Sequence, residues 1–400
     1  MPMSPSTPDQ PRPEIGVGMV GHAFMGAVHT HAWRSVHRFF DVPLVPRPAV
    51  LGGRDGERTR AAASRLGWPD VETDWAALVT RDDVGIVDIC TPGDSHAEIA
   101  LAALAAGKHV LCEKPLANTV AEAEEMAAAA RRAAAYGQRA MVGFNYRRVP
   151  AIALARRFVA EGRLGAIRQV RAAYLQDWLA DPAAPMTWRL RKDRAGSGAL
   201  GDIAAHAVDT AQFVLGEVIT GVSAMTETFV RERPLSTEVG SASGEVDVDD
   251  CAVFLARFTG GAVATFEATR FALGRKNALR LEINGSRGSL AFDFESMNEL
   301  SFYDGDDDPA EAGFRRILVT EPQHPYVGAW WPPGHLLGYE HTFTHEIADL
   351  LTALGEQRDP EPSFADGLQV QRVLQAVQDS AGNGTSWVGV PMSTERVIDA

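Results

Sequence analysis

From residue 14 to residue 143, short apolar runs alternate with longer stretches of helical period. Residues 15–20 form an apolar run ending in a glycine-containing turn, and 24–39 then reads as a helix. Runs at 49–51, 84–90, 109–112 and 140–143 predict four more strands. Residues 57–66, 95–106 and 120–136 predict helices between them. Strand and helix units alternating at this size predict a parallel, doubly wound α/β sheet. After Asn145 the pattern changes. A helix is predicted at 151–161, then period-two runs dominate: 167–175, 218–230, 252–259, 262–271, 278–284 and 288–294. The turns Thr259-Gly260-Gly261 and Asn284-Gly285-Ser286-Arg287-Gly288 predict hairpins. An open, mostly antiparallel sheet follows, covered on one face by a helix over 202–215. Residues 304–313 read as an acidic loop and 323–339 show no clear period. Helices at 341–354 and 364–382 close the chain. The expected organisation is a disordered tail (1–13, rich in proline), a dinucleotide-binding Rossmann domain (14–145) and a substrate-binding and oligomerisation domain (146–400).

Composition narrows the function classes. The net charge of −14 argues against nucleic acid and anionic membrane as partners. No apolar run approaches the ~18 residues of a membrane span, and the first residues lack the pattern of a signal peptide. The three cysteines show no CxxC pairing, and Cys90 and Cys112, in apolar runs, suit buried thiols in a reducing, cytoplasmic setting.

Gly21-His22-Ala23-Phe24-Met25-Gly26 is a G-x-A-x-x-G variant of the dinucleotide fingerprint, placed between a strand and a helix. Small residues there admit a pyrophosphate to the helix N-terminus, although an ordinary tight turn uses the same glycines. The second strand should end in an acid for the ribose hydroxyls. Gly53 stands there instead, with Arg54 beside it and Asp55 one further on, so NAD and NADP are both open. Thr91, Pro92 and His96 follow the third predicted strand at its C-terminal end, the nicotinamide-ribose side.

Only four lysines occur among 38 basic residues: Lys108, Lys114, Lys192 and Lys276. A lysine kept against such a bias suits a proton donor or relay, because arginine does not release its proton. Lys114 lies in Glu113-Lys114-Pro115. Further on, Asp202, His206 and Asp209 share one helix face by spacing, preceded by Gly196-Ser197-Gly198-Ala199-Leu200-Gly201. His206 titrates near neutrality and suits the base for a hydroxyl proton. Asp202 suits an orienting group, or a helix cap. Zinc is not expected: His29/His31 and His341/His345/Glu346 have compatible spacing but no clear further ligand.

Taken together, these residues resemble the Gfo/Idh/MocA oxidoreductases, nearly throughout the chain after the tail. The resemblance implies a Rossmann domain followed by an open-sheet domain, in homodimers or homotetramers. It implies catalysis by Lys114, Asp202 and His206 on a secondary hydroxyl of a sugar, glycoside, anhydrosugar or inositol, with NAD or NADP. Departures are Ala23 at a usual glycine and Gly53 at a frequent acid. Met186-Thr187-Trp188-Arg189 and the 329–335 stretch resemble levoglucosan dehydrogenase-like members, placing Trp188 and Arg189 near the cofactor. Asn145, Arg147, Trp178, Lys192, Trp331 and His335 are then expected substrate contacts, the tryptophans being equally suited to core or interface. Two alternatives stay open on the same fold. One is an NAD-dependent glycosidase acting by transient oxidation; the other is a silent dinucleotide sensor, disfavoured by the intact lysine and histidine.

Overall fold

The computed structural model describes residues 12–238 and 240–392, so the expected tail at 1–13 lies almost wholly outside the described residues. The first sheet contains β1 (Glu14–Val20), β2 (Val45–Gly52), β3 (Val71–Glu72), β4 (Ile86–Ile89), β5 (His109–Glu113) and β6 (Ala140–Gly143). Its order is β3-β2-β1-β4-β5-β6, with every pairing parallel. The order reverses between β1 and β4, which is where such sheets open a ligand crevice at their carboxyl ends.

The connecting helices are α1 (Phe24–Phe39), α2 (Gly56–Leu66), α3 (Trp75–Val79), α4 (His96–Ala105) and α5 (Val120–Ala134). Their ends follow local chemistry. Asp55 caps α2 and Gly67 ends it in the left-handed conformation. Thr119 and Glu122 form a capping box on α5. β3 and α3 were not visible as apolar periodicity: a two-residue strand and a five-residue helix carry almost none.

After α6 (Pro150–Ala160), β7 (Ile167–Leu175) opens the second sheet. α7 (Lys192–Ala195), a wide π turn over Leu200–Ala204 and α8 (Ala205–Leu215) follow. The remaining strands are β8 (Ile219–Glu227), β9 (Glu232–Pro234), β10 (Ser243–Glu245), β11 (Cys251–Phe258), β12 (Val263–Thr269), β13 (Ala278–Gly285), β14 (Gly288–Asp293), β15 (Glu299–Asp304), β16 (Arg315–Leu318) and β17 (Val388–Gly389). Nine of these eleven strands form one sheet ordered β16-β15-β14-β13-β7-β12-β11-β8-β17. Only β7–β12 pair in parallel; the other neighbours are antiparallel. β11 alternates buried and exposed positions, with Phe254 and Phe258 inward and Val253 and Leu255 outward, as a one-sided sheet requires.

α9 (Tyr339–Gly355) and α10 (Phe364–Gly382) are the last two helices among the described residues. α9 places Phe343, Ile347, Leu350 and Leu351 in one apolar cluster with Met19, Trp33 and Val36, so this late helix packs into the layer beside α1. α10 lies in the larger cluster that runs from the first sheet through α8 into the second. That shared core holds the ends of β4, β5 and β6 against the start of α8.

Candidate active site

A cleft of about 620 Å³ lies at this junction. Its wall brings together Ala23, Phe24 and Met25 from the first turn; Thr91, Pro92 and His96 after β4; Glu113 and Lys114 at the end of β5; and Asn145 after β6. Trp178, Trp188, Arg189, Asp202 and His206 face them from the other side. Fourteen residues scattered along the sequence thus converge on one space, and thirteen more line it with them.

Lys114 lies at the centre. Its Nζ donates to the Asp202 carbonyl at 2.6 Å and faces Asp202 Oδ1 at 3.5 Å. Arg270 Nη1 stands 3.7 Å from Asp202 Oδ2. Burial alone would raise the Asp202 carboxyl, but Lys114, Arg270 and Arg189 hold it below its ordinary value. Asp202 is therefore an ionised group pinned between two cations. Arg270 is fully buried, and its Nη2 donates to the Asp249 carbonyl at 3.0 Å. It carried no sequence signal: an arginine at the end of a strand run reads as an exposed edge.

His206 is buried, and its Nδ1 has no hydrogen-bond partner among the described residues. Its ring sits 4.5 Å from the Tyr146 ring and against Phe144 and Tyr174. Burial first, then the charge of Lys114, pushes its pKa well below the ordinary value. A neutral imidazole able to accept a proton is thus maintained across neutral pH.

The small residues of the Gly196–Gly201 stretch permit close approach of a ligand by sequence alone; the tightest point of the stretch serves a different purpose. A Cβ at Gly198 would lie 1.7 Å from the Asp249 carbonyl oxygen and 2.8 Å from Arg270 Nη2. Asp249 accepts the N–H groups of Gly198 and Leu200 at 2.7 Å each. The glycine lets this loop close onto the strand that carries Arg270, which sets Asp202 in place.

One wall, Trp178 apart, was missed. Tyr146 Oη and Tyr174 Oη lie 2.6 Å apart, Tyr174 donates to Asn277 Oδ1 at 2.6 Å, and Gln176 Nε2 reaches the same oxygen at 2.8 Å. Trp178 Nε1 donates to Gln176 Oε1 at 3.0 Å. Burial pushes the Tyr146 phenol up to about 12. This chain of neutral donors and acceptors lines the cleft. Tyrosine, asparagine and glutamine in separate elements have no spacing by which to be found.

Several expected contacts lie elsewhere. Arg147 is buried and bonds Asp209 through Nε (2.8 Å) and Nη2 (2.5 Å), with Asp366 at 3.5 Å. That ion pair removes both Arg147 and Asp209 from the cleft wall. Lys192 borders a separate polar groove beside Asp247. Trp331 packs edge-on to Phe39 at 5.6 Å, and His335 is exposed with Nδ1 on the Pro332 carbonyl. His96 does line the cleft, but its two ring nitrogens engage the carbonyls of Pro115 (3.0 Å) and Thr91 (2.9 Å), clamping two loops. His345 is held by Trp330 Nε1 and the Arg148 carbonyl. Among the described residues the densest donor group is His29, Asp88 and Cys90, whose atoms bond one another together with Trp33 and Glu113.

The first turn fits a dinucleotide. Gly21 has φ +102° and a Cβ there would stand 2.6 Å from the Cys90 carbonyl oxygen; a Cβ at Gly26 would stand 2.2 Å from the Gly21 oxygen. The N-cap of α1, Ala23, offers no side-chain cap, and no acid lies in the first turn. The leading N–H groups are left for a phosphate. Gly21, Gly53 and Arg54 lie beyond the cleft wall, at the ends of β1 and β2.

Residues 15–144 match the oxidoreductase family with an NAD-binding Rossmann fold, and residues 152–291 match the GFO/IDH/MocA C-terminal domain. The chain belongs to the Gfo/Idh/MocA oxidoreductases. It is an NAD(P)-dependent oxidoreductase of the class acting on CH–OH groups. It is 42% identical to levoglucosan dehydrogenase of Pseudarthrobacter phenanthrenivorans, covering 94% of this chain and 98% of that one. The structure of an oxidoreductase domain protein from Kribbella flavida superposes with a TM-score of 0.92 at 67% identity, covering 95% of this chain and 100% of that one. Levoglucosan dehydrogenase in complex with NADH and levoglucosan gives 0.90 at 42% identity, covering 94% and 99%.

Proposed function

We propose that this protein oxidises a secondary hydroxyl of a neutral cyclic sugar or polyol, levoglucosan-like anhydrosugars foremost, with His206 as base. The observation carrying this reading is the pairing of a buried, neutral His206 with the Lys114–Asp202 ion pair across one cleft. Bound nicotinamide supplies the hydride acceptor. His206 takes the hydroxyl proton as the carbinol hydrogen departs, leaving a ketone. Lys114 donates to the oxygen on which charge develops, and its contact with the Asp202 carbonyl fixes where that ammonium points. Asp202 accepts from a substrate hydroxyl and balances the lysine charge. Arg270 acts through Asp202 as a positioning residue.

The neutral wall of Tyr146, Tyr174, Asn277 and Gln176 suits hydroxyl groups, and the exposed face of Trp178 suits the apolar face of a pyranose ring. The relative complexed with levoglucosan gives this substrate class its weight. Outward-facing Met225, Val253, Leu255 and Val263 on the second sheet supply an apolar face for a homodimer or homotetramer.

The test is reduced-nicotinamide absorbance with each cofactor against levoglucosan, glucose, glucosides and inositols. Cofactor reduction with a cyclic polyol and a ketone product supports the reading. Glycoside cleavage without net reduction would replace it by transient oxidation.

A further inference from the structure

The adenosine end of the dinucleotide site lies where β2 runs into α2, and its chemistry departs from the acid that usually receives ribose hydroxyls there. The Gly53 N–H donates to the Glu72 carbonyl at 3.0 Å, anchoring this corner to β3. A Cβ built on Gly53 would stand 2.5 Å from Thr59 Oγ1 and 2.7 Å from His22 Nε2. The space an acidic side chain would leave through is filled by His22, whose Nε2 pairs with Thr59 Oγ1 at 3.2 Å.

Asp55, the nearby carboxylate, is already engaged. Its Oδ1 accepts the N–H groups of Glu57 and Arg58 at 3.1 Å each, and its Oδ2 faces Arg58 Nε at 3.4 Å. It serves as the cap of α2. Arg54 follows Gly53 and precedes Asp55 in the chain, exposed, with no hydrogen bond or ion pair among the described residues.

We propose that this corner receives a 2′-phosphate, so that the chain binds NADP(H) at least as tightly as NAD(H), with Arg54 and His22 as the phosphate contacts. A ribose diol needs an acceptor, and the nearby carboxylate, Asp55, is already engaged as a helix cap; a phosphomonoester needs donors, and the arginine that follows Gly53 and the imidazole that fills the space at Gly53 provide them. Asp55 repels such a group less than a free carboxylate would, because Arg58 lies against it. The inference rests on the dinucleotide domain alone and not on the substrate.

The experiment is calorimetric titration of the full-length protein with NAD, NADP, 5′-AMP and adenosine 2′,5′-bisphosphate. The bisphosphate should bind about tenfold or more tighter than 5′-AMP, the scale of a charge-assisted hydrogen bond. Arg54→Ala should weaken NADP by a similar factor while leaving NAD within about twofold, and Arg54→Glu should favour NAD. Added salt should weaken NADP more than NAD. Wild-type protein binding NADP about tenfold weaker than NAD, or Arg54→Ala changing both alike, would overturn the proposal.

Discussion

Two histidines, His206 and His29, are almost equally buried yet are driven to opposite charge states. His206 faces aromatic rings and a lysine, and burial and the Lys114 charge push its pKa well down. His29 places Nδ1 3.0 Å from Asp88 Oδ2 and Nε2 3.0 Å from Glu113 Oε1. Burial lowers it too, but Asp88 and Cys90 outweigh burial and raise it well above the ordinary value. Partners, not depth, decide the protonation state. One neutral ring is thereby available to chemistry, and one charged ring is locked into structure. Glu113 joins the two regions: one oxygen holds His29, while the other accepts the Lys114 N–H at 3.1 Å.

Breaking the site half should cost the most turnover. His206→Ala is expected to lower kcat by about 10²–10⁴, the range of a lost general base, with little change in melting temperature. Lys114→Ala should do likewise. Steady-state kinetics beside a thermal melt checks both, and full turnover in either variant would remove that residue from the mechanism.

Breaking the structural half should reverse the pattern. His29→Ala leaves Asp88 and Glu113 buried without their cation, a loss of about 3–5 kcal/mol. Chemical denaturation should show that loss directly. Activity of the surviving folded fraction should fall less than in His206→Ala.

Glu346 sharpens the comparison more gently. It is buried with neither oxygen bonded among the described residues, and burial foremost pushes it up to about 8, against the lowering by His29. A carboxyl raised in the folded state contributes fully below its unfolded value, and that contribution is lost progressively as pH rises toward 8. Glu346→Gln should therefore melt near wild type at pH 5 and several degrees above it at pH 8.5. A gap independent of pH would mean that Glu346 is already ionised. The smallest effect is expected from His335→Ala, under about twofold in kcat/KM, because this exposed residue lies off the cleft wall.

Legibility in the sequence followed the range of the interaction. The parallel sheet, β7 and α10 are written in local periodicity, and Lys114, Asp202 and His206 in composition and spacing. Arg147 looked like a ligand because its partner Asp209 meets it only through packing of α8. Arg270 and the Tyr146–Tyr174–Asn277 wall depend on strands far apart in the chain. α9 packs beside α1 through contacts that no local period announces.

The most direct measurement is the pH profile of kcat/KM for wild type and His206→Ala with an accepted polyol. The acid limb of the wild type should fall at a midpoint clearly below the ordinary histidine value of 6.5, and that limb should be absent in the variant. A wild-type midpoint at or above 6.5, or the same limb surviving in His206→Ala, would contradict a neutral His206 acting as the base.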